Sequence, residues 1–115
     1  MIRSGLARLR DAENTSLSLE SRFDLAYNAA HALSLAALRS HGYRSENRYL
    51  VFQTLAQTLK LAAEQWRVLA AAHEKRNVVE YEGIADIDEQ LVAAILRVTR
   101  EVAVRVEKLG PVKER

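Results

Sequence analysis

The chain has no cysteine, one proline, four glycines and one tryptophan in 115 residues. Without cysteine there is no disulfide framework and no thiolate chemistry, and a reducing intracellular setting fits that absence. The single proline, Pro111, lies near the end, so about a hundred residues can run as helices joined by short turns. Long apolar runs are missing too. The longest weakly polar stretch, Ala29 to Leu38, contains His31 and Ser34 and is too short to span a bilayer. Arg8, Arg10 and Asp11 interrupt any early apolar segment, so no secretory signal is expected and the predicted location is cytoplasmic, with no membrane partner.

What is present belongs to a globular protein: 49% hydrophobic and 28% charged residues. The length is that of one domain, able to bury roughly two-thirds of its unfolded surface. The net charge of +2 permits an anionic partner without requiring one. Its distribution is more informative. Arg39, Arg44 and Arg48 face only Glu46 in one turn, whereas Glu74 to Glu89 is acid-rich and carries Lys75 and Arg76.

Hydrophobic spacing predicts helices throughout. A short helix over about 3–13 carries Leu6 and Leu9 and either docks or frays, because an isolated helix of that length is marginal in water. Ser16 or Ser18 caps the next helix, on which Leu19, Phe23, Ala26, Ala30, Leu33 and Ala37 form one stripe. Tyr27, His31, Leu35 and Leu38 form a neighbouring stripe, and Gly42 ends the helix as a left-handed cap. Ser45 is the expected cap of a third helix through Phe52, Leu55, Trp66 and Leu69 to Tyr81, broken somewhere between Leu59 and Ala63 and stopped by Gly83. Asp86 and Glu89 read as a capping box for a last helix bearing Ile87, Leu91, Ile95, Val98 and Val102. The alternation in Val102 to Val106 resembles a strand, but the helical period before it persists and no sheet partner exists. The tail, 110–115, is expected to be loose. The predicted fold is all-α: one domain, an up-and-down bundle of four to five helices with its core over about 18–108.

Common enzyme signatures are absent: no glycine-rich phosphate loop, no nucleophile elbow, and no histidine pair at helical metal spacing. No metal or cofactor is therefore expected. One ridge is chemically richer. On a helix, His73, Asn77 and Tyr81 lie at i, i+4 and i+8, beside an i, i+4 row of Arg76 and Glu80. Periodicity alone favours the plainer reading, a surface salt bridge from Arg76 to Glu80 with Tyr81 packed at a helix end. His31, in an apolar helix, reads as a hydrogen-bonded interior residue, and His41 as a residue stabilised by the helix C-terminus.

Three segments carry a family resemblance: the alanine-rich helix containing Ala26 to Leu33 and ending in Gly42-Tyr43, the stretch Tyr49 to Leu55 after the basic turn, and Lys75-Arg-Asn-Val-Val-Glu-Tyr81. Together they resemble the HEPN domains (higher-eukaryote and prokaryote nucleotide-binding), bundles of four or five helices. The resemblance implies a homodimer and, in active members, a metal-independent ribonuclease site made from an Arg, a following polar residue and a His five to seven positions after the Arg. Arg76 and Asn77 match the first two. Where the histidine belongs, this chain has Tyr81, Glu82 and Gly83. Tyrosine, with a reference pKa of about 10, is a poor base near neutrality, while Arg76 keeps its charge and can grip a phosphate. His73, one turn before Arg76, is the nearest substitute.

The resemblance therefore implies a binding module for a nucleotide, RNA or protein partner, with Arg76, Asn77, Tyr81 and His73 lining the ligand site. Two alternatives stand beside it. One is a metal-independent ribonuclease of a toxin–antitoxin system, with a nucleotidyltransferase-type antitoxin as cognate partner. The other is a purely structural dimeric interaction protein.

Overall fold

Ser18, not Ser16, starts the longest helix: its side-chain oxygen accepts from the Ser21 N–H at 3.1 Å. Such a cap contributes about 1 kcal/mol by satisfying one of the first-turn N–H groups. The computed structural model describes residues 2–82 and 87–109, the side chains of residues 79–82 excepted. Its helices are α1 (Ile2–Ala12), α2 (Leu19–Ser40), α3 (Arg48–Gln53), α4 (Leu55–Thr58), α5 (Ala63–Glu82) and α6 (Glu89–Glu107). No strand occurs among the described residues, and Val102 to Val106 lies within α6. None of the described helices is long and apolar enough to cross a membrane.

Gly42 ends α2 as its sequence position suggests. Its φ is +87°, its N–H donates to the Arg39 carbonyl at 2.9 Å, and the Tyr43 N–H donates to the Leu38 carbonyl at 3.3 Å. These two bonds form a Schellman cap, and the positive φ is one that glycine adopts without a steric penalty.

Two other caps fall elsewhere than expected. Asn47 caps α3 by accepting from Leu50 N–H at 3.1 Å, while Ser45 instead accepts from the Asn47 N–H at 3.1 Å and braces the turn. At the last helix Asp88 accepts from Leu91 N–H at 2.8 Å, so the helix begins at Glu89. The later start leaves Ile87 ahead of the cap, packed on the core cluster that contains Val92, as in a hydrophobic staple. Asp86, the stop at Gly83 and the tail 110–115 lie outside the described residues.

The expected long third helix is three segments. The break falls at Leu59 to Ala62, where Lys60 has φ +58°. Arg105 of α6 holds that break: its Nη1 donates to the carbonyls of Leu59 at 2.8 Å and Lys60 at 3.0 Å. Its Nε donates to Glu101 at 2.7 Å, which fixes the guanidinium in place.

Helix α2 touches every other helix. Buried Ala26, Ala29, Ala30, Ala36 and Ala37 let its neighbours approach closely, and Phe23, Leu33, Phe52, Leu55, Leu69, Ile95 and Val102 fill the core. α1 docks rather than frays, burying Leu9 and Ala12 and seating Gly5 against Leu33. It runs antiparallel to α2, since Arg22 Nε also donates to the Ala12 carbonyl at 2.9 Å. Opposite α1, the pairs Tyr27–His73 and Asp24–Arg76 show α5 antiparallel to α2 as well. That pairing brings the histidine and arginine of α5 onto the middle of α2.

Candidate functional site

Side chains from three helices converge on Tyr27. On α2, Asp24, Tyr27 and His31 stand at i, i+3 and i+7, which places them along one face. The first residue of α3 is Arg48, and α5 supplies His73, Arg76 and Asn77. Tyr27 is buried, with Phe23 stacked on one side at 6.4 Å between centroids and Phe52 edge-on at 6.0 Å. This aromatic packing makes its ring a fixed floor beneath the half-buried polar groups.

Both guanidiniums approach that ring. The Arg76 Cζ is 5.1 Å and the Arg48 Cζ 5.5 Å from the Tyr27 ring centroid, within cation–π range. Among the described residues one carboxylate answers them: Asp24 lies 3.6 Å from Arg76 Nε, and its side chain is 61% exposed. An ion pair so long and so wet neutralises little. Arg48 Nη1 is buried and has no hydrogen-bond partner. A buried, unpaired donor on a charged group is unfavourable, and an arriving anion would satisfy it.

The histidines complete the cluster. His73 Nδ1 is 2.9 Å from Tyr27 Oη, and Asn77 Nδ2 donates to His73 Nε2 at 3.4 Å. With the amide in that orientation Nε2 is the acceptor, so the neutral ring carries its proton on Nδ1 and donates to the phenol oxygen. His31 stands edge-on to Phe52 at 6.2 Å. Burial, then the charges of Arg48, His73 and Arg76, hold its pKa down at about 4. His73 is also lowered, by burial first and then by Arg48 and Arg76 against an opposing pull from Glu74. Both imidazoles are therefore neutral bases near pH 7, beside two permanent cations.

Of the residues expected to line a ridge on one helix, His73, Arg76 and Asn77 stand in a cluster shared by three helices. His73 and Asn77 do meet. Arg76 reaches across to Asp24 and Tyr27 on α2. Tyr81 and Glu80, expected on the same ridge, lie outside the described side chains. His31 is a half-buried member of the cluster, and no hydrogen bond of its ring is seen among the described residues. His41 sits apart, at the end of α2, with Nδ1 3.0 Å from the Ala37 carbonyl. Tyr27, His31, Arg48 and Asp24 were not singled out as site residues from sequence. The available signal was the polar triplet Asp24, Tyr27, His31 on an otherwise alanine-rich helix. Among the described residues no three His, Cys, Asp or Glu side chains gather as a metal site.

Searches against family models, curated proteins and solved structures found no match to this chain.

Proposed function

We propose that this chain is a HEPN-like helical binding module that holds a phosphate-bearing ligand, a nucleotide or an RNA segment, between Arg48 and Arg76. The observation that carries the reading is the pair of guanidiniums over one buried tyrosine, answered among the described residues by one exposed carboxylate, with Arg48 Nη1 unpaired. Guanidinium geometry matches phosphate oxygens and its charge does not titrate away. Tyr27 sets the floor, and His73 and Asn77 stand at the rim as hydrogen-bonding groups for the rest of the ligand. The test is a titration with a fluorescent nucleoside triphosphate and with a labelled RNA oligonucleotide. Arg48→Ala and Arg76→Ala are each expected to weaken binding about tenfold or more, the loss of a charge-assisted hydrogen bond. Binding unchanged in both variants would leave the cluster as a structural contact and end this reading.

A second reading, metal-independent RNA cleavage, draws support from the two neutral imidazoles beside the arginines. One imidazole would take the proton of a 2′-hydroxyl as that oxygen attacks the phosphorus. The P–O5′ bond would break to leave a 2′,3′-cyclic phosphate, the 5′-oxygen taking a proton from the imidazolium so formed or from water. The guanidiniums would stabilise the charge building on the phosphate. Incubation with mixed RNA in excess chelator decides between the readings. Cleavage lost in both Arg76→Ala and His73→Gln would make the protein a ribonuclease rather than a binding module.

A further inference from the structure

Beyond the two-arginine cluster, the turn from α2 to α3 carries a second feature. The Schellman cap at Gly42 throws Tyr43 outward, leaving it 67% exposed, and no aromatic ring packs against it among the described residues. Leu50, on the first turn of α3, is 46% exposed. Between them lies an open groove of about 540 Å³, lined by Leu38, Tyr43, Arg44, Leu50 and Thr54 among others. A second hollow of about 370 Å³ adjoins it, sharing Arg44 and lined also by Leu35, Arg39 and Glu46. Apolar walls with Arg44 among the lining residues suit a flat aromatic ring whose attached group is anionic.

The two features lie along the same helix. From Tyr27 to Leu38 α2 advances about 17 Å at its usual rise, and Leu35, which lines the second hollow, lies between them. Arg48 joins them by chain as well, following directly on the turn that holds Tyr43 and Arg44 and ending over Tyr27. Exposed rings interleaved with arginines are how proteins bind single strands, by stacking bases and tracking phosphates. The local charge of the turn, Arg44 and Arg48 against Glu46, is complementary to a polyanion and not to a basic peptide.

We infer that the α2–α3 turn is a stacking platform for single-stranded nucleic acid, a base lying on Tyr43 with its phosphate at Arg44 and the strand leading into the Arg48–Arg76 site. The inference rests on the phosphate-binding reading of that site and extends it from a single nucleotide to a strand.

The test compares a labelled ten-nucleotide single strand, as RNA and as DNA, with a labelled mononucleotide and with the same ten-nucleotide sequence as a duplex. Tyr43→Ala is expected to weaken the single strand roughly tenfold, the loss of one base–aromatic stack, and to leave the mononucleotide unchanged. Tyr43→Phe keeps the ring and is expected to bind like the parent. Circular dichroism confirms that each variant is folded. If Tyr43→Ala binds the single strand as the parent does while Arg76→Ala weakens both ligands, the platform is overturned and the phosphate site survives. If Arg48→Ala and Arg76→Ala both leave the mononucleotide untouched while Tyr43→Ala still weakens the strand, the phosphate reading fails and the strand's path into that site is overturned with it, leaving only base stacking at Tyr43. Equal affinity for duplex and single strand, or no binding of either by the parent, would overturn the platform, the latter pointing to a protein partner in the groove.

Discussion

Tyr27 Oη and His73 Nδ1 lie 2.9 Å apart, joining residues 46 positions apart in the chain and pinning α5 to the middle of α2. Tyr27→Phe keeps the ring, and so the floor beneath both arginines, but leaves the His73 N–H without its acceptor. The expected loss is about 1 kcal/mol in urea unfolding, the usual net value of such a bond. Tyr27→Ala should cost about 3–5 kcal/mol by opening a cavity next to Phe23 and Phe52. A Tyr27→Phe variant as unstable as Tyr27→Ala would show that the hydroxyl does far more than hold this one bond.

Stability should fall with acid through His31. Its folded pKa of about 4 lies below the unfolded value of 6.5, so the unfolded chain binds the extra proton first. The contribution is complete above about pH 6.5 and is lost as pH falls towards about 4, by roughly 1–3 kcal/mol after allowance for its partial exposure. Urea midpoints measured across that range should drop in the parent and drop less in His31→Gln. Parallel curves would remove His31 as the source.

Ligand binding should run the other way with pH. An anion seated between the arginines favours the protonated imidazoles, so binding takes up protons and tightens as pH falls. For an oligonucleotide, whose phosphodiesters do not titrate here, the affinity is expected to rise about threefold from about pH 8 to about pH 6. The double variant His31→Gln, His73→Gln should flatten the profile, measured by fluorescence anisotropy at constant ionic strength.

Arg105 and Lys60 make a coupled pair at the break between α4 and α5. Arg105→Met removes the donors to the Leu59 and Lys60 carbonyls and should cost about 1–3 kcal/mol. Lys60→Gly should instead stabilise by a few tenths to about 1 kcal/mol, because φ +58° strains a residue with a Cβ. Calorimetric melting of the two variants checks both signs.

Gly5 is where α1 meets α2. A Cβ there would stand 2.9 Å from Leu33 Cγ, and Leu33 is fully buried. Gly5→Ala gains helix propensity of about 1 kcal/mol but must displace that side chain, a change that typically costs about 1–3 kcal/mol. A net loss of stability is expected, with faster proteolytic cleavage between Glu13 and Ser18 as α1 lifts. Unchanged cleavage would mean that the α1–α2 contact adjusts at little cost.

The helices were legible because burial repeats along them: the spacing of Phe23, Ala26, Ala30 and Leu33 describes α2 without reference to any other part of the chain. Gly42 was legible for the same reason, since its left-handed geometry is a local demand. Caps were less so. Ser45 and Asn47, or Asp86 and Asp88, all have suitable oxygens, and the choice depends on where the helix must begin to bury its apolar face. Half of the site was also hidden. His73, Arg76 and Asn77 are close in sequence and could be grouped by helical spacing. Tyr27, His31 and Arg48 are not, and each has an ordinary local explanation in its own segment.

Sequence by itself determined that this protein is helical and where α2 ends, because helical periodicity and a glycine cap are set by side chains within a few residues of one another. The alignment of α5 along α2 was decided only by tertiary packing, since it follows from which buried faces fit together. That alignment turned Arg76 from a residue facing its own helix into one of two cations over a shared tyrosine, and the anion-binding chemistry proposed here exists only through it.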